Sequence, residues 1–427
     1  MILTVKKAAA AAAAAAVTFL TACGNTDESG AEGILTTTGT SASSVTTTVT
    51  TTATSVSTSA ATSATTAATT AATKKTAKKT TKKTTAATEA VQAEEVTTTT
   101  AATVAEQEPV TSTTPYHPPA NADSYMPSYG EWCGNVVICD RYEGSKIRGL
   151  PPFYGYLSTG AEYAQVLNQY KQMLGSDVNV YNLSCPLSSA YYVPPDMEGT
   201  FTEQHGCITN LTGYLKNVVN VDVYDILASH LDEYIYSRTD HHWQPLGAYY
   251  AAEAFANAAG VPFAKLSDYQ EVFKTDYLGS MYTYSGQLQE LADNPDTFTY
   301  YKPRNSYTTR YYDGYFQNGA DGSLFFDWAS GAGCYCSFLG GDTQICEIDS
   351  DVNNGRVLVI LKDSYGNALV PFLVQSFDKI YVADFRYTYI KMNDFMKRVG
   401  ATDVLFGASI SSAYADSRIE MIRNLMM

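Results

Sequence analysis

Apolar residues follow two different spacings along residues 135–406, and the two spacings alternate. The runs at 135–139 and 356–361 are almost continuously apolar, which is typical of strands buried on both faces. Residues 162–174 instead place apolar side chains three or four positions apart, which indicates a helix. By the same criteria we predict strands at 178–183, 218–223, 379–383 and 403–406, and helices at 208–217, 226–234, 246–259, 366–375 and 392–399. This alternation predicts an α/β fold with a central parallel sheet and helices on both faces.

The regular alternation is interrupted at about residues 263–345. This segment is rich in Gly, Asp, Asn and Tyr, and it contains the turn signals Asn294-Pro295-Asp296 and Asn318-Gly319. We interpret it as an irregular, β-rich insert that forms a lid or rim over a site. The ordered domain is therefore expected to span 121–427, with this insert inside it.

Residues 24–120 have a composition that does not support a folded core. Thr, Ala and Ser dominate the segment, so it has too few apolar side chains to offset the entropy of ordering the chain. We predict a disordered linker whose ends lie on the order of 55 Å apart when it behaves as a flexible coil.

Residues 1–23 have the features of a secretory signal. Lys6 and Lys7 precede a short apolar run that ends in Leu20-Thr21-Ala22-Cys23, which resembles a bacterial lipobox. In that case Cys23 is lipidated, and the protein is exported and anchored to the outer face of the bacterial cytoplasmic membrane through lipid only. The alternative is a general signal peptide in which the cysteine occurs by chance.

The charge and the cysteines exclude several classes of function. The net charge is −15, and residues 1–119 contribute nothing to it because they contain eight lysines and eight acidic residues. An acidic domain does not suit nucleic acid as a partner. Seven of the eight cysteines follow Cys23, and their spacings do not match a zinc site with paired knuckles. We predict neither a bound metal nor a cofactor.

The stretch Thr239-Asp240-His241-His242-Trp243 contains two of the five histidines. In an extended segment Asp240 and His242 would share a face, so the carboxylate could orient the imidazole as a general base. His241 is an alternative base, and the two histidines could also bind a metal, although adjacent side chains point to opposite sides. Asp240 could equally cap the helix predicted at 246–259.

Ser364 is the candidate nucleophile. It follows the strand predicted at 356–361, and ligands bind at the carboxyl ends of strands in α/β sheets. Gly366 permits a tight turn there, and Asn367 offers a side-chain donor for an oxyanion. The alternative role of Ser364 is a helix N-cap.

Two stretches of the sequence are distinctive: Tyr234–Trp243 followed by Gly247–Tyr250, and Lys362–Phe372. Together with the shorter stretches Phe338–Asp342 and Asp384–Tyr387, they resemble the DHHW protein family. The family is related to the SGNH hydrolase-like domains of the alginate O-acetyltransferases. The resemblance implies a flavodoxin-like, SGNH-type three-layer sandwich. It also implies a catalytic triad, which consists of Ser364, His242 and Asp240.

The resemblance further implies an enzyme, an O-acetyltransferase or acetylesterase of cell-surface or extracellular polysaccharide. Its partners would be the polysaccharide and an acyl donor, which a membrane acyltransferase could supply. The alternative is a non-catalytic glycan-binding or scaffold protein with the same fold. Lys362 stands where the superfamily has the glycine of its Gly-Asp-Ser motif. Candidates for binding substrate or oxyanion are Tyr365, Gly366, Asn367, Arg386, Ser188, His241 and Trp243.

Overall fold

The structure, a computed structural model, describes residues 126–426. The predicted signal segment, Cys23 and the linker at 24–120 lie outside the described residues. Within 126–426, no helix combines the length and apolar character that a membrane crossing requires.

Three short antiparallel strands begin the described chain: β1 (Gly130–Cys133), β2 (Val136–Cys139) and β3 (Arg148–Leu150). All four residues of β2 are buried, which agrees with the apolar run at 135–139. The three strands form a sheet of their own. The Gly149 N–H donates to the Arg238 carbonyl at 2.8 Å, which ties this small sheet to the segment just before Asp240.

The large sheet has eight strands in the order β5-β4-β13-β11-β12-β10-β8-β9, and a separate hairpin is formed by β6 and β7. The bounds are β4 (Asn179–Cys185), β5 (Val219–Asn220), β6 (Gln270–Tyr277), β7 (Asp296–Lys302), β8 (Tyr307–Tyr312), β9 (Ala320–Gly322), β10 (Ile345–Ser350), β11 (Val357–Lys362), β12 (Lys379–Asp384) and β13 (Asp403–Ser409).

The predicted parallel sheet is confirmed for β5, β4, β13, β11 and β12, which all pair in parallel. The whole sheet is mixed, because β10, β8 and β9 extend it with antiparallel pairs. β8 and β9 come from the predicted insert, so part of that segment completes the sheet. The strand predicted at 218–223 is reduced to the two residues of β5, at the edge of the sheet.

Ten α-helices accompany the strands within the described part of the chain. They are α1 (Leu157–Leu174), α2 (Gln204–Tyr214), α3 (Tyr224–Ala228), α4 (Pro245–Ala259), α5 (Ser280–Tyr284), α6 (Gln289–Ala292), α7 (Val370–Leu373), α8 (Met392–Arg398), α9 (Ile410–Ala413) and α10 (Asp416–Asn424). Two predicted helices are mostly wrong: at 226–234 only residues 226–228 are α-helical, and at 366–375 only residues 370–373 are. Residues Ser364–Leu369 form a 3₁₀ turn instead, followed by the single turn of α7.

Helices cover both faces of the parallel strands. Tyr170 of α1 packs edge-on against Phe406 of β13, and Phe255 of α4 packs edge-on against Tyr181 of β4. Phe406 pairs with Asn182 in the sheet and not with Tyr181, so the two contacts lie on opposite faces. The predicted three-layer α/β architecture is therefore confirmed.

Candidate active site at the carboxyl edge of the sheet

The two sequence segments meet at the carboxyl edge of β11. His242 Nε2 lies 2.9 Å from Ser364 Oγ, and the two residues are 122 positions apart in the chain. On the other side of the ring, His242 Nδ1 lies 2.6 Å from Asp240 Oδ1. Asp240, His242 and Ser364 thus form one continuous hydrogen-bonded chain.

The loop before α4 turns sharply and is not extended as the sequence suggested. Tyr236 and Trp243 form an antiparallel bridge, and the residues between them bend. The Asp240 carboxylate accepts the His242 backbone N–H at 3.0 Å, an Asx-type turn that brings the two side chains together. The proposed cap role of Asp240 is wrong, because α4 begins after Gln244 and has no side-chain cap.

Both oxygens of the Asp240 carboxylate are engaged. Oδ1 faces His242, and Oδ2 accepts the Ser280 N–H at 2.8 Å. Burial by itself raises the pKa of this carboxyl, but the positive charge that His242 and His241 can carry, together with these hydrogen bonds, holds the pKa well below its usual range. An ionised carboxylate only accepts hydrogen bonds, so Nδ1 of His242 must carry the proton. When the imidazole is neutral, Nε2 therefore accepts the Ser364 hydroxyl.

Asp363, and not Ser364, caps the 3₁₀ turn. Its Oδ1 accepts the Tyr365 N–H at 3.0 Å, and its Oδ2 accepts the hydroxyls of Ser409 and Ser412, each at 2.7 Å. These bonds fasten the end of β11 to the end of β13. The alternative reading of Ser364 as an N-cap is therefore wrong, and its hydroxyl is directed to His242.

Lys362, two residues before Ser364, is buried in a cluster of charges. Its Nζ lies 2.9 Å from both Asp342 Oδ1 and Asp384 Oδ2. Arg386 completes the cluster, with Nη2 at 2.9 Å from Asp342 Oδ2 and Nε at 2.9 Å from Asp384 Oδ1. Burial raises the pKa of Asp342, but the two cations outweigh it and hold the pKa well below its usual range. The predicted substrate candidate Arg386 is thus engaged by carboxylates.

The 3₁₀ turn after Ser364 offers few unused donors. The N–H groups of Tyr365 and Gly366 both bond to Asp363, and Asn367 Nδ2 donates to Asp342 at 2.7 Å. A side chain at Gly366 would place a Cβ 2.5 Å from the Gly407 carbonyl oxygen, so only glycine fits this close approach.

The remaining candidates lie around the same edge. The Tyr365 hydroxyl donates to the His241 carbonyl, and Trp243 Nε1 donates to the Tyr365 carbonyl at 3.2 Å. These two bonds join the histidine segment to the serine segment. Ser188 follows β4, and its buried hydroxyl has no hydrogen-bond partner among residues 126–426.

A metal is also conceivable at this site, because donor atoms of Asp240, His241 and His242 lie within 4.8 Å of one another. His241 Nδ1, however, lies 2.6 Å from Ser280 Oγ, and both ring nitrogens of His242 already have partners. A metal would have to displace those bonds, so the donor set fits the hydrogen-bonded chain better.

Sequence reasoning missed three residues of the insert. The Tyr335 ring stacks on the His242 imidazole, with centroids 3.7 Å apart. Ser280 holds Asp240, and Asp296 accepts the Thr239 N–H at 2.8 Å and its hydroxyl at 2.7 Å. Tyr335 is one of 33 tyrosines, so composition could not single it out. Asp296 lies in the Asn294-Pro295-Asp296 turn, which the sequence did mark.

Comparisons with known proteins place the chain among related sequences. The family model described as DHHW protein matches residues 152–383, more than half of the chain. A DHHW family protein from Eubacterium siraeum is 40% identical, with a TM-score of 0.66 over 70% of this chain and 98% of its own.

One more distant structure is similar in fold. PatB1 of Bacillus cereus, solved with a sulfonyl adduct, is 18% identical, with a TM-score of 0.56 over 67% of this chain and 99% of its own. The O-acetyltransferase domain of AlgJ from Pseudomonas putida is 13% identical, with a TM-score of 0.37 over 70% of this chain and 99% of its own. No curated protein is significantly similar in sequence. The family match and the relative from E. siraeum together show that the chain belongs to the DHHW family.

Proposed function

We propose that this protein is a serine-dependent acyltransferase that moves an acetyl group to or from hydroxyls of an extracellular polysaccharide. The observation that carries the proposal is the hydrogen-bonded chain from Asp240 through His242 to Ser364, with 2.6 Å and 2.9 Å links. Nucleophile, base and orienting acid are the three groups that covalent acyl transfer requires.

In the first half of the reaction, Ser364 Oγ attacks the acyl carbon of the donor while its proton passes to His242 Nε2. The imidazolium is stabilised by the Asp240 carboxylate at Nδ1. The tetrahedral intermediate then collapses, the bond to the donor oxygen breaks, and His242 returns the proton to that leaving oxygen. The products are an acetylated Ser364 and the free donor alcohol.

In the second half, a hydroxyl of the acceptor attacks the acetyl-serine and gives its proton to His242 Nε2. Collapse breaks the bond to Ser364 Oγ, which recovers the proton from the imidazolium. A sugar hydroxyl as acceptor gives O-acetyltransfer, and water gives ester hydrolysis. The same residues serve both outcomes.

Ser188 is the best candidate to stabilise the oxyanion of the two intermediates. The N–H groups of Tyr365 and Gly366 are held by Asp363. The Ser188 hydroxyl has no partner in the described part of the chain, and it lies in the loop after β4, at the same edge of the sheet as Ser364. An unpaired donor in a buried position is free to bond to a developing negative charge.

Exposed aromatic rings at this edge support a polysaccharide as the acceptor. Trp132 and Tyr154 are 47% and 60% exposed, and both contact Phe201 in the loop after β4. Beyond β12, Tyr315 and Tyr389 are 58% and 60% exposed, with ring centroids 5.1 Å apart. Rings of this kind offer an apolar face together with a polar edge, which suits a sugar ring.

The location of the protein is part of the same proposal. The lipobox-like sequence ending in Cys23 and the Thr-rich linker that follows it support an exported lipoprotein, with this domain held away from the membrane. Export would bring Ser364 to extracellular glycans. Labelling cells with a fatty-acid analogue, with Cys23→Ala as control, tests this part separately.

A sulfonyl fluoride tests the reactivity of Ser364. We expect intact-mass spectrometry to show one sulfonyl adduct on the wild type and none on Ser364→Ala. Ser376→Ala is the matched control, because Ser376 is a buried serine whose hydroxyl has no partner among residues 126–426. Equal labelling of the wild type and Ser364→Ala, or no labelling of either, would refute the proposal that this protein is a serine-dependent enzyme. Incubation with an aryl acetate and soluble glycans, followed by glycan mass spectrometry, then separates transfer from hydrolysis.

A further inference from the structure

Two aromatic rings lie against the His242 imidazole. Tyr335 lies on one face, with centroids 3.7 Å apart and an interplanar angle of 9°. His241 approaches the ring at 3.8 Å and 37°. Asp240 and Ser364 occupy the two nitrogen positions at its edge. Each of these four contacts removes some freedom from the imidazole.

Tyr335 is itself held firmly in place. It lies in a 3₁₀ turn (Gly331–Ser337) of the insert and is buried. Its hydroxyl donates to the Tyr365 carbonyl at 3.3 Å, and Phe338 packs edge-on against its ring at 5.2 Å. The residue is thus anchored both to the segment that carries the nucleophile and to the core of the insert.

We infer that Tyr335 is a positioning residue for the His242 base, an inference that rests on the proposed function. The bond to Asp240 fixes one atom of the imidazole but leaves the ring able to turn about its side-chain bonds. The parallel Tyr335 ring fixes the plane as well, so that Nε2 points at Ser364 Oγ. The face of an aromatic ring also attracts a cation, and His242 becomes one each time it takes the serine proton.

A second stack in the molecule provides the matched control. His230 stacks on Tyr250 at 3.6 Å and 10°, and His230 Nδ1 lies 2.7 Å from Glu233 Oε1. Like His242, His230 therefore has a tyrosine ring on its imidazole and a carboxylate at Nδ1. Only at His242 does a serine hydroxyl lie at the remaining nitrogen, so only there should the stack affect catalysis.

The test compares the wild type, Tyr335→Phe, Tyr335→Leu and Tyr250→Leu by burst kinetics with an aryl acetate. We expect Tyr335→Leu to lower kcat by about 100-fold with little change in KM, since a misplaced reacting atom costs about that much. Tyr335→Phe keeps the ring and should stay within about threefold of the wild type, and Tyr250→Leu should not change kcat. Should Tyr335→Leu fail to fold, Tyr335→Met replaces it.

An NMR measurement provides a readout that is independent of turnover. A ring stacked at 3.7 Å shifts the His242 carbon-bound protons upfield. That shift should persist in Tyr335→Phe and disappear in Tyr335→Leu. A folded Tyr335→Leu with wild-type kcat overturns the inference, and so does a Tyr335→Phe that loses as much activity as Tyr335→Leu. If Ser364→Ala turns over like the wild type, the proposed function fails, and the NMR shifts alone decide whether Tyr335 holds the imidazole.

Discussion

Replacement of Lys362 by methionine removes the central cation of the buried charge cluster. The Lys362 side chain is 2% exposed and lies 2.9 Å from each of two carboxylates, Asp342 and Asp384, which are 6% and 0% exposed. Without it, Arg386 alone faces both carboxylates. Breaking a buried ion pair from one side costs about 3–5 kcal/mol because it leaves an uncompensated charge. We therefore expect Lys362→Met to lower the free energy of unfolding by about that amount.

The effect should depend on pH in a defined direction. The folded-state pKa of Asp342 is lowered from 3.8, so its stabilising contribution is present above pH 3.8 and is lost as the pH falls below that value. Burial lowers the pKa of Lys362, but Asp342 and Asp384 outweigh it and raise the pKa above 10.5, so its contribution is lost only as the pH rises beyond 10.5. The difference in the free energy of unfolding between the wild type and Lys362→Met should therefore be largest between these two pH values. It should become smaller as the pH falls below 3.8.

Urea unfolding followed by circular dichroism at several pH values measures this difference. Lys302→Met is the control, because Lys302 pairs at 2.6 Å with Asp327, which is 62% exposed. That surface pair should contribute less than about 1 kcal/mol. If Lys362→Met lowers the free energy of unfolding by less than about 1 kcal/mol at neutral pH, Lys362 does not neutralise the buried carboxylates as argued. A loss that stays the same on acidification would lead to the same conclusion.

Three further variants test the site. Asp240→Asn should lower kcat on an aryl acetate by about 10⁴-fold, because an amide favours the wrong tautomer of the imidazole; a loss below about tenfold would contradict this. Ser188→Ala should lower kcat by about 10²–10³-fold, as measured in the same assay, if its hydroxyl stabilises the oxyanion; a wild-type rate would remove Ser188 from that role. The double variant Tyr315→Ala/Tyr389→Ala should raise KM for a glycan acceptor and leave the rate on aryl acetate alone unchanged, and unchanged acceptor kinetics would exclude these rings as a sugar subsite.

The sequence predicted the parallel half of the sheet because those strands carry their own signal. β11 and its neighbours β12 and β13 are almost continuously apolar, so a local pattern is sufficient to identify them. β8 has no such pattern, since its sequence mixes tyrosine, threonine and arginine. Its place in the sheet depends on pairing with β10, which lies more than 30 residues later in the chain. The local spacing of apolar residues does not indicate that pairing.

Lys362 shows a second limit of sequence reasoning. A lysine at the end of an apolar run normally marks the point where a strand reaches solvent. Here the charge remains buried because Asp342 and Asp384 arrive from distant segments to neutralise it. The contact between Ser364 and His242 also joins distant segments of the chain. We predicted it from a family resemblance as well as from local features. Spacing alone could not place two residues 122 positions apart at 2.9 Å.

The insert contributes to the site as a scaffold, which goes beyond the lid expected from its composition. Its Ser280 N–H holds one oxygen of Asp240, while the other oxygen orients His242. Asp296 fixes the residue before Asp240, and Tyr335 lies on the imidazole. An element that opened as a lid would have to break the Ser280 bond and remove the ring stacked on His242, and the imidazole would lose its orientation. The insert must therefore stay in place during turnover if His242 is to act as the base.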